Sequence, residues 1–160
     1  MPRLEDLDVE SREFLGGFQC RSDGDPPSNR LRKGLKDSRI AIITTSGLIR
    51  KSDAPFDLGN PEGDFSFRAV PMDAQPAELT FSHVSTNWDR TGFAMDINVV
   101  LPADRLSELA ADGRIAGTAP NFYSFMGAIF NFDNIIEESA PELAGLLKGE
   151  GVDIALFVPT

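Results

Sequence analysis

Apolar and polar positions along the chain alternate between two kinds of run. Short continuous apolar runs rich in β-branched residues stand at Arg39–Gly47 and at Val152–Thr160. The second follows a helical segment and a Gly-Glu-Gly turn, so it reads as a buried strand of a parallel sheet. The first ends in hydroxyls and a glycine, and its Ile and Thr residues favour a strand. Leu79–Val84 reads as a further short strand ending near His83. Arg114–Gly117 reads as a short extended piece, and the aromatic Phe122–Gly127 as a segment at the rim of the sheet.

Helical spacing appears elsewhere. Asp104–Ala111 places Leu106, Leu109 and Ala110 on one face, and Gly113 ends it. A longer helix is expected from about Asn134 to Lys148, interrupted at Pro141. A short one is expected over Leu4–Phe14. Between these lies a long excursion, residues 48–78, rich in Pro, Gly and Asp, which Phe56, Phe65 and Phe67 should anchor to the body. The alternation predicts an α/β fold: three layers, with a mainly parallel sheet flanked by helices and incomplete at its C-terminal side. Residues 1–38 form a polar N-terminal arm, and residues 39–160 the α/β domain. In open sheets of this kind, ligands bind outside the carboxyl ends of the strands.

Composition narrows the function classes. The chain has 160 residues, 41% of them hydrophobic, and a net charge of −10. That charge disfavours a nucleic-acid surface and attraction to anionic membranes. The cluster Arg30, Arg32, Lys33 and Lys36 reads as a solvated face. No apolar run reaches the roughly 20 residues of a membrane span, and the N-terminus lacks a signal-peptide pattern, so a cytoplasmic location is expected. The single cysteine, Cys20, excludes an internal disulfide framework, and it has no histidine nearby in sequence.

Candidate chemistry gathers at strand ends. The single histidine, His83, precedes Asp89 and Arg90. It is either a general acid/base or substrate ligand, or a residue that hydrogen-bonds a loop. Scattered carboxylates around one histidine lack metal-ligand spacing, so no metal is expected. Thr44, Thr45, Ser46 and Gly47 could cradle an anionic group with hydroxyls and backbone N–H groups. Alternatively they form a turn whose hydroxyls satisfy the backbone. Phosphate-loop and dinucleotide fingerprints are missing.

Arg39–Gly47 (RIAIITTSG), Lys51–Asp57 (KSDAPFD), Asn60–Ser66 (NPEGDFS), Leu79–His83 (LTFSH) and Asp89–Gly92 (DRTG) occur in that order. Asp96–Asp104 (DINVVLPAD), Arg105–Gly113 (RLSELAADG), Tyr123–Gly127 (YSFMG) and Gly151–Thr160 (GVDIALFVPT) follow. Each is weak alone, but as an ordered set they resemble the selenoprotein B family of glycine, sarcosine, betaine and D-proline reductases. The resemblance covers residues 39–160. It implies reductive cleavage of an activated carbon–nitrogen bond in an amino acid or betaine-like substrate. It also implies a pyruvoyl-containing partner subunit, a dithiol reductant, and a selenocysteine or cysteine directly after the strand matching GVDIALFVPT. No cofactor is expected within this chain. The nucleophile would follow Thr160, as in a selenoprotein whose UGA codon is read as a stop, and the 160-residue chain would be inactive and prone to self-association. His83 and Asp89 are the expected catalytic pair. Thr44, Thr45, Ser46, Gly47, Arg90, Tyr123 and Ser124 are expected to line the substrate pocket. The alternative is a non-catalytic small-molecule-binding or scaffold module of the same fold.

Overall fold

The computed structural model describes residues 3–17, 24–25, 29–85, 90–129 and 131–160. The chain divides into two compact units, Met1–Arg30 and Leu31–Thr160. In the first, the expected helix over Leu4–Phe14 is broken in two: a 3-10 turn at Leu4–Asp6 and helix α1, Val9–Gly17. Asp8 is the cause. Its carboxylate accepts the backbone N–H of Ser11 at 2.8 Å and the Ser11 hydroxyl at 2.7 Å. A side-chain acceptor at that position starts a new helix rather than continuing an old one.

The second unit is built on strand β1, Arg39–Thr44, whose residues are buried from Ile40 onward. The turn after it leads into β2, Leu48–Arg50. β3, Phe67–Pro71, and β4, Leu79–Phe81, follow. Then come helices α2, Thr91–Met95, and α3, Ala103–Ala111. β5, Gly117–Thr118, and β6, Asn121–Phe125, come next. A π-helical segment, Ile135–Ser139, runs into helix α4, Ala140–Gly149, and β7, Ile154–Val158, is last.

β1 lies inside the main sheet. β7 runs parallel along one edge of it, pairing Ile40 with Ile154 through Thr44 with Val158. β5 and β6 pair in parallel with its start and its end, Ile40 with Thr118 and Ile43 with Tyr123. β3 joins the outer side of β6 antiparallel. Helices cover both faces. On one, Leu106 of α3 packs with Ile40, Ile42, Val70 and Phe122; on the other, Leu143 of α4 packs with Ile43, Tyr123 and Phe125. This is the expected three-layer α/β arrangement, a mixed sheet with mostly parallel strands.

Four elements depart from the expectation. The excursion over residues 48–78 carries two strands. β3 closes the main sheet, where Phe67 rests on Tyr123 and Phe125 with ring centroids 5.8 and 5.6 Å apart. β2 pairs with β4 in a separate two-stranded antiparallel sheet, so the strand before His83 is outside the main sheet. Phe122–Phe125 lies within the sheet rather than at its rim, with β3 on one side and β1 on the other. And β7 is not buried: Phe157 is 69% and Leu156 36% exposed, because no strand among the described residues pairs with its second edge. The long helix does carry the expected interruption. Pro141 has no N–H to give to residue 137, and the turn before it widens into the π segment.

Candidate functional site

The carboxyl end of β1 is where three other chain segments arrive. Thr45 donates its N–H to Val158 O at 3.2 Å, and Gly47 donates to Phe125 O at 2.8 Å, so the turn is tied to the ends of β7 and β6 together. Ser82 N–H donates to Gly47 O at 2.8 Å, which draws the residues after β4 onto the same turn. The Thr45 hydroxyl accepts the backbone N–H of Thr160 at 3.0 Å.

Glycine is required at two of these crossings. A Cβ on Gly47 would sit 2.3 Å from Ser82 O, and one on Gly127 would sit 2.7 Å from Thr45 O and 3.3 Å from His83 Nε2. Both residues also have positive φ, +66° and +71°, which side chains disfavour. Ala128, next in the chain, keeps φ at 47° despite its Cβ. Thr45, His83 and Gly127 therefore border one small region at the strand ends, and Thr160 reaches it through Thr45.

His83 is half-buried. Its Nδ1 accepts the Ser85 N–H at 3.0 Å, which assigns the proton of the neutral ring to Nε2, on the Gly127 side. Burial, and secondly the positive charge of Arg90, hold its pKa below the ordinary value of 6.5. Arg90, at the start of α2 and exposed, is thus brought within electrostatic reach of the imidazole. Asp89 and Cys20 lie outside the described residues.

The other expected pocket residues divide by accessibility. Thr44 and Ser46 are fully buried and hydrogen-bond each other, Thr44 Oγ1 to Ser46 Oγ at 3.0 Å. The Ser46 N–H points back to Thr44 Oγ1 at 3.3 Å. The backbone donors of Thr45, Ser46 and Gly47 are thus all engaged within the protein, so the turn offers no cradle of N–H groups. It is the alternative arrangement, hydroxyls satisfying a strand-end turn. Ser124 is fully buried beside Thr44, and its hydroxyl has no hydrogen-bond partner among the described residues. Tyr123 points the other way, as alternation along a strand demands. It is 1% exposed and packs under α4. Burial, and next the Glu150 carboxylate, push its hydroxyl far above the ordinary value of 10.0. Glu150 follows α4, where its carbonyl accepts the Arg39 side chain at the opposite end of β1, so Tyr123 is not part of the His83 region.

Sequence reading missed Gly127, although it ends the segment YSFMG. Its signal was a glycine after an aromatic strand, a place for close backbone approach. Beyond this region, an apolar concavity of about 370 Å³ lies on the β2–β4 flank, between Leu48, Phe81, Phe93 and Met95. Among the described residues no three His, Cys, Asp or Glu side chains are grouped to hold a metal, and no helix is long and apolar enough to cross a membrane.

The structure is an α/β domain in which the carboxyl ends of β1, β6 and β7 meet at one turn. The chain belongs to the glycine/sarcosine/betaine reductase selenoprotein B family, whose pattern it matches over residues 9–160. It is 40% identical over 125 residues to D-proline reductase subunit gamma of Acetoanaerobium sticklandii, covering 78% of this chain and 50% of that protein. It is 25% identical over 134 residues to glycine reductase complex component B subunit gamma of Carboxydothermus hydrogenoformans, covering 84% of this chain and 31% of that protein. The chain thus spans half or less of the length of these curated relatives. No solved structure matches it.

Proposed function

We propose that this chain serves as the sheet-end half of a reductase subunit that cleaves an activated carbon–nitrogen bond in an amino acid or betaine-like substrate. In this reading it works with a partner subunit carrying a pyruvoyl group and with a dithiol reductant. The two relatives are, by name, subunits of D-proline reductase and of a glycine reductase complex. The observation that carries the reading is the hydrogen bond from Thr160 N–H to Thr45 Oγ1. It puts the end of β7 against the residue that also borders Gly127 and His83. A selenol or thiol directly after Thr160 would supply a strong nucleophile there.

The chain's own residues then have definable roles. Thr45 fixes the strand end. His83 presents Nε2 to the region, and its lowered pKa makes the protonated ring a readier acid toward a departing amine. Arg90 supplies a positive charge for a substrate carboxylate. One observation favours the second reading, a non-catalytic binding or scaffold module: the donors of the Thr44–Gly47 turn are spent inside the protein. A UGA codon after Thr160, followed by coding sequence, would favour the reductase; another stop codon with nothing coding beyond would favour the module.

The reductase reading is tested by extending the chain with a cysteine after Thr160. At mildly acidic pH iodoacetamide should alkylate the added thiol ahead of Cys20, because only a low-pKa group stays ionised there. The unextended chain should show no dithiol-dependent reduction of amino-acid or betaine-like substrates. An added thiol that reacts no faster than Cys20, or turnover by the unextended chain that survives Cys20→Ser, would sink the reading.

A further inference from the structure

We propose that Arg68, on the antiparallel strand β3, is a positioning residue that sets the orientation of His83 through Phe56. This inference rests on the reading of His83 as the working acid, but its geometry stands independently. Arg68 clamps the loop that follows β2: its Nε donates to Ala54 O at 2.9 Å and its Nη2 to Pro55 O at 3.1 Å. The guanidinium carbon lies 4.4 Å from the centre of the Phe56 ring. The clamp is itself oriented, because Nη1 donates to Ser66 Oγ at 2.8 Å and to Phe67 O at 3.2 Å. A planar fork with several fixed donors can make this set of contacts, and a point charge cannot.

Phe56 then touches both walls of the region around the imidazole. Its backbone N–H donates to Ser82 Oγ at 3.0 Å, and Ser82 immediately precedes His83. Its ring, 3% exposed, packs with Met126, the residue before Gly127. One loop, held by one arginine, therefore contacts the side chain of the residue before His83 and that of the residue before Gly127, whose Cβ position faces His83 Nε2. The residue types suit this role. A hydroxyl at position 82 accepts a hydrogen bond that an apolar residue could not, and a buried N–H at Phe56 left without it would carry a desolvation penalty.

The test uses the full 160-residue chain, in which His83 is the single histidine, so its imidazole resonances are unambiguous. In the unchanged protein, nitrogen NMR should report the proton on Nε2 and a titration midpoint below 6.5. In Arg68→Gln and in Ser82→Ala the midpoint should rise toward 6.5 and the tautomer should move toward the mixture of a free imidazole. Arg68→Lys should fall short of restoring the parent signal. Ser139→Ala, which removes a hydrogen bond to Phe65 O beside α4, should lower stability with no change at His83. Should Arg68→Gln not fold, Ser82→Ala decides alone. An unchanged imidazole in either folded variant overturns the proposal, as does an equal response in Ser139→Ala. If the imidazole responds as expected while His83→Ala keeps full turnover in an assembled reductase, the positioning role stands and the catalytic reading of His83 falls.

Discussion

At the scale of single residues, His83 carries most of what can be measured. Its pKa is lowered, first by burial and then by Arg90, so the folded protein holds its proton less firmly than the unfolded chain does. Below the unfolded value of 6.5 the unfolded chain therefore binds more protons, and stability rises with pH there. The contribution is complete above 6.5 and is lost as the pH falls through the lower folded value. Carboxylates act in a separate window. Asp153, held below 3.8 by Lys33 and then by the Arg39 N–H, loses its contribution only in stronger acid. Urea midpoints measured downward from neutral pH should thus fall in two stages. His83→Gln should abolish the first and leave the second. A first stage that persists in the variant would assign it to another group. Should His83 also be the reacting acid, His83→Ala in an assembled reductase would lower turnover while barely moving the melting temperature.

At the scale of elements, the glycines distinguish turns that are built for close approach from helices that merely tolerate a gap. Gly127→Ala combines a left-handed φ with a Cβ 2.7 Å from Thr45 O, and should cost about 1–3 kcal/mol. Gly145, inside α4, has nothing within 4 Å of the position its Cβ would take. There the alanine should stabilise by about 0.5–1 kcal/mol, by helix propensity alone. Denaturation curves that show equal changes for the two variants would undo the assignment of the Gly127 turn. The same contrast explains what the sequence made legible. β1 and β7 were readable as short continuous apolar runs rich in β-branched residues, though the burial expected of β7 was not met. α3 was readable because Leu106, Leu109 and Ala110 share one helical face. β3 was hidden because Phe67–Pro71 is short and ends in proline, and its pairing with β6 depends on residues about fifty positions away or more. Tyr123 looked like a pocket residue because sequence shows that an aromatic is present, not which face of a sheet it occupies. The Thr44–Gly47 turn could be read as a cradle or as a self-satisfied turn, and only the positions of Val158, Phe125 and Thr44 Oγ1 decide where its donors go.

At the scale of the whole molecule, the two outer strands of the main sheet are treated differently. β3 carries Arg68 and ends in Pro71, and both features discourage a further strand from pairing. β7 reads Ile-Ala-Leu-Phe-Val, with neither charge nor proline within it. Among the described residues its five positions pair with β1 on one side only, and Phe157 is 69% exposed. An edge of this kind presents unpaired backbone groups together with apolar side chains, which is a template for association. The net charge of −10 opposes that association at long range, so salt, which screens the repulsion, should strengthen it. Sedimentation velocity should accordingly show the 160-residue chain self-associating with concentration, and more so at higher ionic strength. Phe157→Lys, which sets a charge on the exposed edge, should return the chain toward monomer while leaving β1 pairing intact by circular dichroism. A monodisperse, cooperatively melting monomer at high concentration and high salt would show that the β7 edge is closed by some other means. Association undiminished in Phe157→Lys would move the interface away from β7.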